Sequence, residues 1–130
     1  MSESDAEKWN ARYAEYLGVT PPDHAKGVLQ DVHWAAGAFG YFPGYTLGNL
    51  WSASLGRVLE QERPQLWEEV EAGELAPVLA FLRERVHRHG HRLEAPALMR
   101  ESIGERDHVE DLLGYLWQRV GGLYGVERPA

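Results

Sequence analysis

The sequence predicts an all-α protein, with five to six helices around one aromatic-containing core and a single elaborate loop. Two observations predict it. Apolar residues recur at helical spacing through most of the chain, as in Leu75, Val78, Leu79, Leu82 and Val86 at i, i+3, i+4, i+7 and i+11. Glycine and proline fall between these periodic segments, where they end helices. A short strand at Val28 to Val32 is the one exception, so sheet content is expected at or near zero.

The first helix is expected from Ser4 to Leu17. Ser4 and Glu7 have capping-box spacing, and Trp9, Tyr13, Tyr16 and Leu17 share a face. Gly18 and the Pro21-Pro22 pair end it. A long helix follows from Tyr45 to about Glu62, with Leu47, Leu50, Trp51, Leu55, Val58 and Leu59 as its apolar stripe. Pro64 closes it or opens the next helix. Leu66, Trp67, Val70 and Leu75 fit a short acidic helix bounded by Gly73, and the Leu75–Val86 helix should stop at Gly90. Ala95 to Ser102 reads as a short helix ended by Gly104. Asp107 and Glu110 repeat the capping-box spacing, and Val109, Leu112, Leu113, Leu116, Trp117, Val120, Leu123 and Tyr124 then line one face.

At 130 residues the chain has the length of one domain, taken here as 1–130. Hydrophobic residues at 44% and charged residues at 25% are ordinary for a globular protein and argue against disorder. The net charge of −7 makes a phosphate-backbone partner a poor fit, so no nucleic acid is expected. Zero cysteines exclude disulfides, thiolate metal sites and a cysteine nucleophile. No apolar run approaches the roughly 20 residues that span a bilayer, and the polar, acidic start carries no secretory signal. A cytoplasmic protein without a membrane partner is the expectation.

Four constellations carry candidate chemistry. His87, His89 and His91 could bind a divalent metal, since imidazole is a good ligand. Their place near a helix C-terminus favours a dipole-complementing role, and Gly90 interrupts the spacing that His87 and His91 would need. Arg83, Arg85, Arg88 and Arg92 against one Glu84 could bind anions, but without interleaved aromatics they read as a solvated helix face. Ser102, Asp107 and His108 have triad residue types without triad placement, and no G-x-S-x-G or phosphate-binding glycine motif is present. The fourth is the stretch Gly27 to Tyr45, dense in glycine and rings. It gathers Gln30, Asp31, His33, Trp34, Tyr41 and Tyr45. Such a set can brace an aromatic core, with Asp31 orienting His33 or capping a turn, or can form a site on a shaped loop.

That stretch also carries a resemblance. Gly27-Val28-Leu29-Gln30-Asp31-Val32-His33-Trp34, then Phe39-Gly40-Tyr41-Phe42-Pro43, then Tyr45-Thr46-Leu47-Gly48-Asn49 closely resembles the zinc carboxypeptidases of the carboxypeptidase Taq type. Their C-terminal region carries G-x-x-Q-D-x-H-W followed by F-G-Y-F-P-x-Y-x-L-G-N. Weaker similarity continues in Trp9-Asn10, in Glu15 to Val19, in Val86 to Gly90 and in Tyr115 to Gly125, so it covers essentially the whole chain. Two departures adjoin the motif: Gly44 stands where the family has Thr or Ser, and Trp51-Ser52-Ala53-Ser54 replaces Y-A-A-Q.

The resemblance implies orthogonally packed helices like those of the carboxypeptidase C-terminal part. It implies that Tyr41 donates to a tetrahedral oxyanion and that His33 is a neutral donor to a substrate carbonyl. Gln30, Asp31 and Trp34 would position His33 and shape the cleft wall, with Tyr45 behind them. It also implies what this chain lacks. In the family, zinc is held by H-E-x-x-H and a downstream Glu, and none of the six histidines here is followed by Glu. The expectation is therefore a truncated relative with no metal site or cofactor of its own, inactive alone as a peptidase. It could be an orphaned domain, a self-associating or regulatory module, or half of a split enzyme completed by an H-E-x-x-H partner. The module should expose an apolar face that the missing helices would cover in a full enzyme, and a homo-oligomer such as a homodimer is one way to cover it. A peptide is the expected small partner.

Overall fold

The computed structural model describes residues 3–128, with side chains from Asp5 onward. Every regular element among the described residues is helical: α1 Glu3–Leu17, α2 Pro43–Glu62, α3 Leu66–Glu71, α4 Ala76–Arg85, α5 Ala95–Ile103 and α6 His108–Leu116. Short 3₁₀ turns occupy Val28–Gln30 and His87–His89, and a π turn, Trp117–Gly121, leads into a last helical turn at Gly122–Tyr124. None of these helices is long and apolar enough to cross a membrane. The chain divides into two compact units, Met1–Gly44 and Tyr45–Ala130.

In the first unit, α1 packs against the Val28–Gln30 turn, and Ala6 and Val28 are its buried apolar side chains. Trp9 and Tyr13 stack on one another at 4.1 Å. The face predicted on α1 exists, but Tyr13, Tyr16 and Leu17 are exposed on it. The Ser4 end of the expected capping box lies outside the described side chains. Gly18 closes the helix with φ 66°, donating its N–H to the Ala14 carbonyl at 3.0 Å. The expected strand at Val28 to Val32 is a 3₁₀ turn instead. The Asp23 carboxylate accepts the Lys26 N–H at 2.8 Å, and the His24 carbonyl accepts from Gly27 and Leu29. Local bonds thus take up the backbone groups that a strand would offer to a neighbour.

The second unit has a core of Val58, Leu59, Leu66 and Phe81, with Leu55, Val70, Val78, Leu82 and Ile103 packed around it. Only the C-terminal half of the α2 stripe is deeply buried, since Leu47 remains exposed. Arg63 clasps Glu69 with two hydrogen bonds, at 2.6 and 2.9 Å, across the α2–α3 connection. Arg85 fixes α4 to α5 by donating to the Ser102 carbonyl at 2.7 Å, while the Ser102 hydroxyl returns a bond to the Arg85 carbonyl. Gly90 and Gly104 stop their helices at φ 56° and 78°, where a Cβ is disfavoured. Asp107 caps α6 by accepting the Val109 and Glu110 N–H groups. The other half of that capping box does not form, because Glu110 pairs with Arg128 at 2.6 and 2.7 Å. The continuous helix expected to Tyr124 is broken by the π turn, and the most buried side chain of α6 is a carboxylate, Asp111.

Candidate functional site

Within the first unit the loop brings several of its chemistry-bearing side chains together. Asp31 follows the 3₁₀ turn in an extended conformation. Its Oδ1 accepts the backbone N–H of His33 at 2.8 Å and lies 2.7 Å from the Nδ1 of the same ring. This is an Asx turn with a second anchor on the imidazole. The two bonds hold the Asp31 carboxyl below the ordinary carboxylate range, the backbone N–H contributing most and the ring next. Turn bonds from Ala36 to Val32 and from Ala38 to His33 then fold the chain back. Tyr41 consequently lies along the His33 ring, with centroids 5.6 Å apart and planes 21° apart, and Phe42 meets that ring edge-on at 5.3 Å.

Gln30 turns its amide onto the Ala25 carbonyl and so braces the 3₁₀ turn. Trp34 and Tyr41 are both more than half exposed, whereas His33 and Asp31 are part-buried. Tyr45 stands at the start of the second unit, in the first turn of α2. Phe42 was legible only as one more ring in the loop, and its edge contact to His33 depends on the fold-back.

The other constellations disperse. Asp107 caps α6, Ser102 bonds to Arg85, and the His108 Nδ1 lies 2.7 Å from the Oγ of Ser54. His89 is buried, with Arg88 Nε and Arg92 Nη2 each 3.4 Å from a ring nitrogen and Glu101 3.7 Å from Nδ1. Among the described residues no group of three His, Cys, Asp or Glu side chains is placed to hold a metal ion. A zinc centre needs at least three such ligands, so the described residues do not fit one.

A polar cluster in the second unit has no short-range sequence signal. Ser54 is fully buried on α2 and donates to Asp111 Oδ2 at 2.8 Å, which leaves its lone pairs to accept from His108. Arg106 adds two bonds to the same carboxylate, at 2.7 and 3.0 Å, and Arg57 lies 3.4 Å from it. Serine, not histidine, sits in the middle, and no solvent reaches it. The cluster clamps α2 to α6 and is not arranged as a nucleophile with its base. Beside it runs an open groove of about 570 Å³, lined by Asn49, Arg57, Glu60, Trp67 and Tyr115 among others.

Comparison with known proteins bears on the loop. The family described as carboxypeptidase Taq (M32) metallopeptidase matches residues 3–120. Carboxypeptidase 1 of Bacillus subtilis is 41% identical over 116 residues, which is 89% of this chain and 23% of that protein. Thermostable carboxypeptidase 1 of Thermus thermophilus is 42% identical over 119 residues, again 23% of its length. Among solved structures, the M32 carboxypeptidase of Deinococcus radiodurans superposes with a TM-score of 0.83 at 36% identity over 93% of this chain and 24% of that one. The Pyrococcus furiosus carboxypeptidase gives 0.86 at 36% identity over 90% and 24%. The chain thus spans about a quarter of the length of the relatives it matches, and it belongs to the carboxypeptidase Taq family of metallopeptidases.

Proposed function

We propose that this chain supplies the substrate-facing wall of a metallocarboxypeptidase cleft. In this reading Tyr41 donates to the oxyanion that forms at the scissile carbonyl, and His33 donates to a neighbouring substrate carbonyl. Asp31 holds His33, Gln30 braces the turn before it and Trp34 shapes the wall. The observation that carries the reading is the grouping of Asp31, His33 and Tyr41 on one loop inside the stretch that matches the family. Preorganised donors act where charge develops, so a phenol held against a braced imidazole suits that task.

In this reading the hydrolytic half lies in a segment that carries H-E-x-x-H, so residues 1–130 alone should release no amino acid from a peptide. In an assembly of the two halves, Tyr41→Phe should lower kcat about 10²- to 10³-fold with a small change in KM, as expected for a donor used in the transition state. Wild-type kcat in the Tyr41→Phe assembly would overturn the oxyanion role.

A second reading is favoured by exposed apolar side chains, among them Leu29, Val32, Trp34, Phe39 and Phe42 in the first unit. A second copy of the chain would cover them. Sedimentation over a wide concentration range should then show a dimer, and a strict monomer throughout would contradict it.

A further inference from the structure

We infer that Asp31 is a positioning residue that fixes the proton of His33 on Nδ1. The neutral ring then carries its acceptor lone pair on Nε2. The inference starts from one oxygen atom. Asp31 Oδ1 takes the His33 backbone N–H at 2.8 Å and faces the ring nitrogen Nδ1 at 2.7 Å. An ionised carboxylate only accepts hydrogen bonds. The two His33 contacts keep Asp31 ionised to lower pH than an ordinary aspartate. A short contact between a carboxylate oxygen and Nδ1 therefore requires the hydrogen to be on Nδ1. A neutral imidazole carries one ring proton, so the lone pair is left on Nε2.

The surroundings hold the ring in this orientation. Asp31 faces it at Nδ1, Tyr41 lies along its face and Phe42 meets it edge-on. The backbone bond from His33 to Oδ1 also prevents the carboxylate from rotating away without losing its turn. For function, this rests on the reading of His33 as a substrate-side group. It bears on the neutral donor that the resemblance implies, because a neutral His33 with its proton on Nδ1 has none on Nε2.

The tautomer can be read without substrate, metal or partner. Two-bond ¹H–¹⁵N correlation of the labelled full chain at about pH 9, well above the ordinary imidazole range, reports which ring nitrogen bears the proton. His33→Gln identifies the signals. The expected pattern is a pyrrole-type Nδ1 and an imine-type Nε2. Asp31→Ala should move the Nδ1–H to Nε2–H ratio toward Nε2–H by about tenfold or more, the weight of a charge-assisted bond. Asp31→Asn should keep the wild-type pattern, because the His33 N–H still orients an accepting oxygen. An Nε2–H pattern in the wild type would overturn the inference whatever the variants do. So would an unchanged ratio in a folded Asp31→Ala protein. Failure of the cleft reading would leave these spectra unaltered, and failure of the tautomer would leave the Tyr41 assay unaltered.

Discussion

Asp111 carries the heaviest polar load in the second unit, with Arg106, Ser54 and Arg57 converging on one buried carboxylate. Arg106 does most to hold its carboxyl below the ordinary 3.8, followed by the Ser54 hydroxyl and the charge of Arg57. Because the folded value is lowered, the stabilisation is complete above the unfolded value and is lost as pH falls through the folded one. Acid unfolding of Asp111→Asn should therefore be less steep below about pH 4 than that of the wild type. At neutral pH the same substitution should cost about 2–4 kcal/mol in urea unfolding, since it strands a largely buried Arg106. Short-range reasoning could not find this cluster, because Ser54 is 54 residues from His108 and 57 from Asp111. The Asp31–His33 pair was legible, because an aspartate two residues before a histidine reaches both its backbone and its ring.

Helices were legible wherever their boundaries had chemical punctuation. Gly18, Gly90 and Gly104 stand at positive φ where the sequence predicted stops, and Asp107 caps α6. Asp107→Ala should lower stability by about 1 kcal/mol in thermal or urea unfolding, the weight of a lost N-cap. Glu110→Gln should change it little, because Glu110 serves an exposed pair with Arg128 and not the cap. The break after Leu116 was not legible. Its apolar spacing continues unperturbed to Tyr124, while the backbone passes into the π turn at Trp117–Gly121. There the Val126 N–H bonds to the Gly121 carbonyl at 3.3 Å, and a Cβ on Gly121 would stand 2.9 Å from the Val126 oxygen. Gly121→Ala gains helix propensity yet must displace that turn. The Val126 amide should lose hydrogen-exchange protection, while the α4 amides keep theirs.

At the scale of the whole molecule, most of the apolar pattern is displayed and only part of it is buried. The first unit buries little beyond Ala6 and Val28, and α1, the loop and α6 all present large apolar side chains to solvent. Periodicity identified the faces but could not say what covers them, because covering is a property of neighbouring chain and not of spacing. In the proposed reading, a chain that covers about a quarter of its relatives and displays such faces works in an assembly. The measurement that tests this most directly joins residues 1–130 to the H-E-x-x-H-bearing part of a carboxypeptidase Taq relative, in place of the quarter that relative shares with it. Release of C-terminal amino acids from a peptide is then followed. The account predicts activity in the joined protein, none in either part alone, and a severe loss with Tyr41→Phe. A joined protein that folds and binds zinc but releases nothing would contradict it.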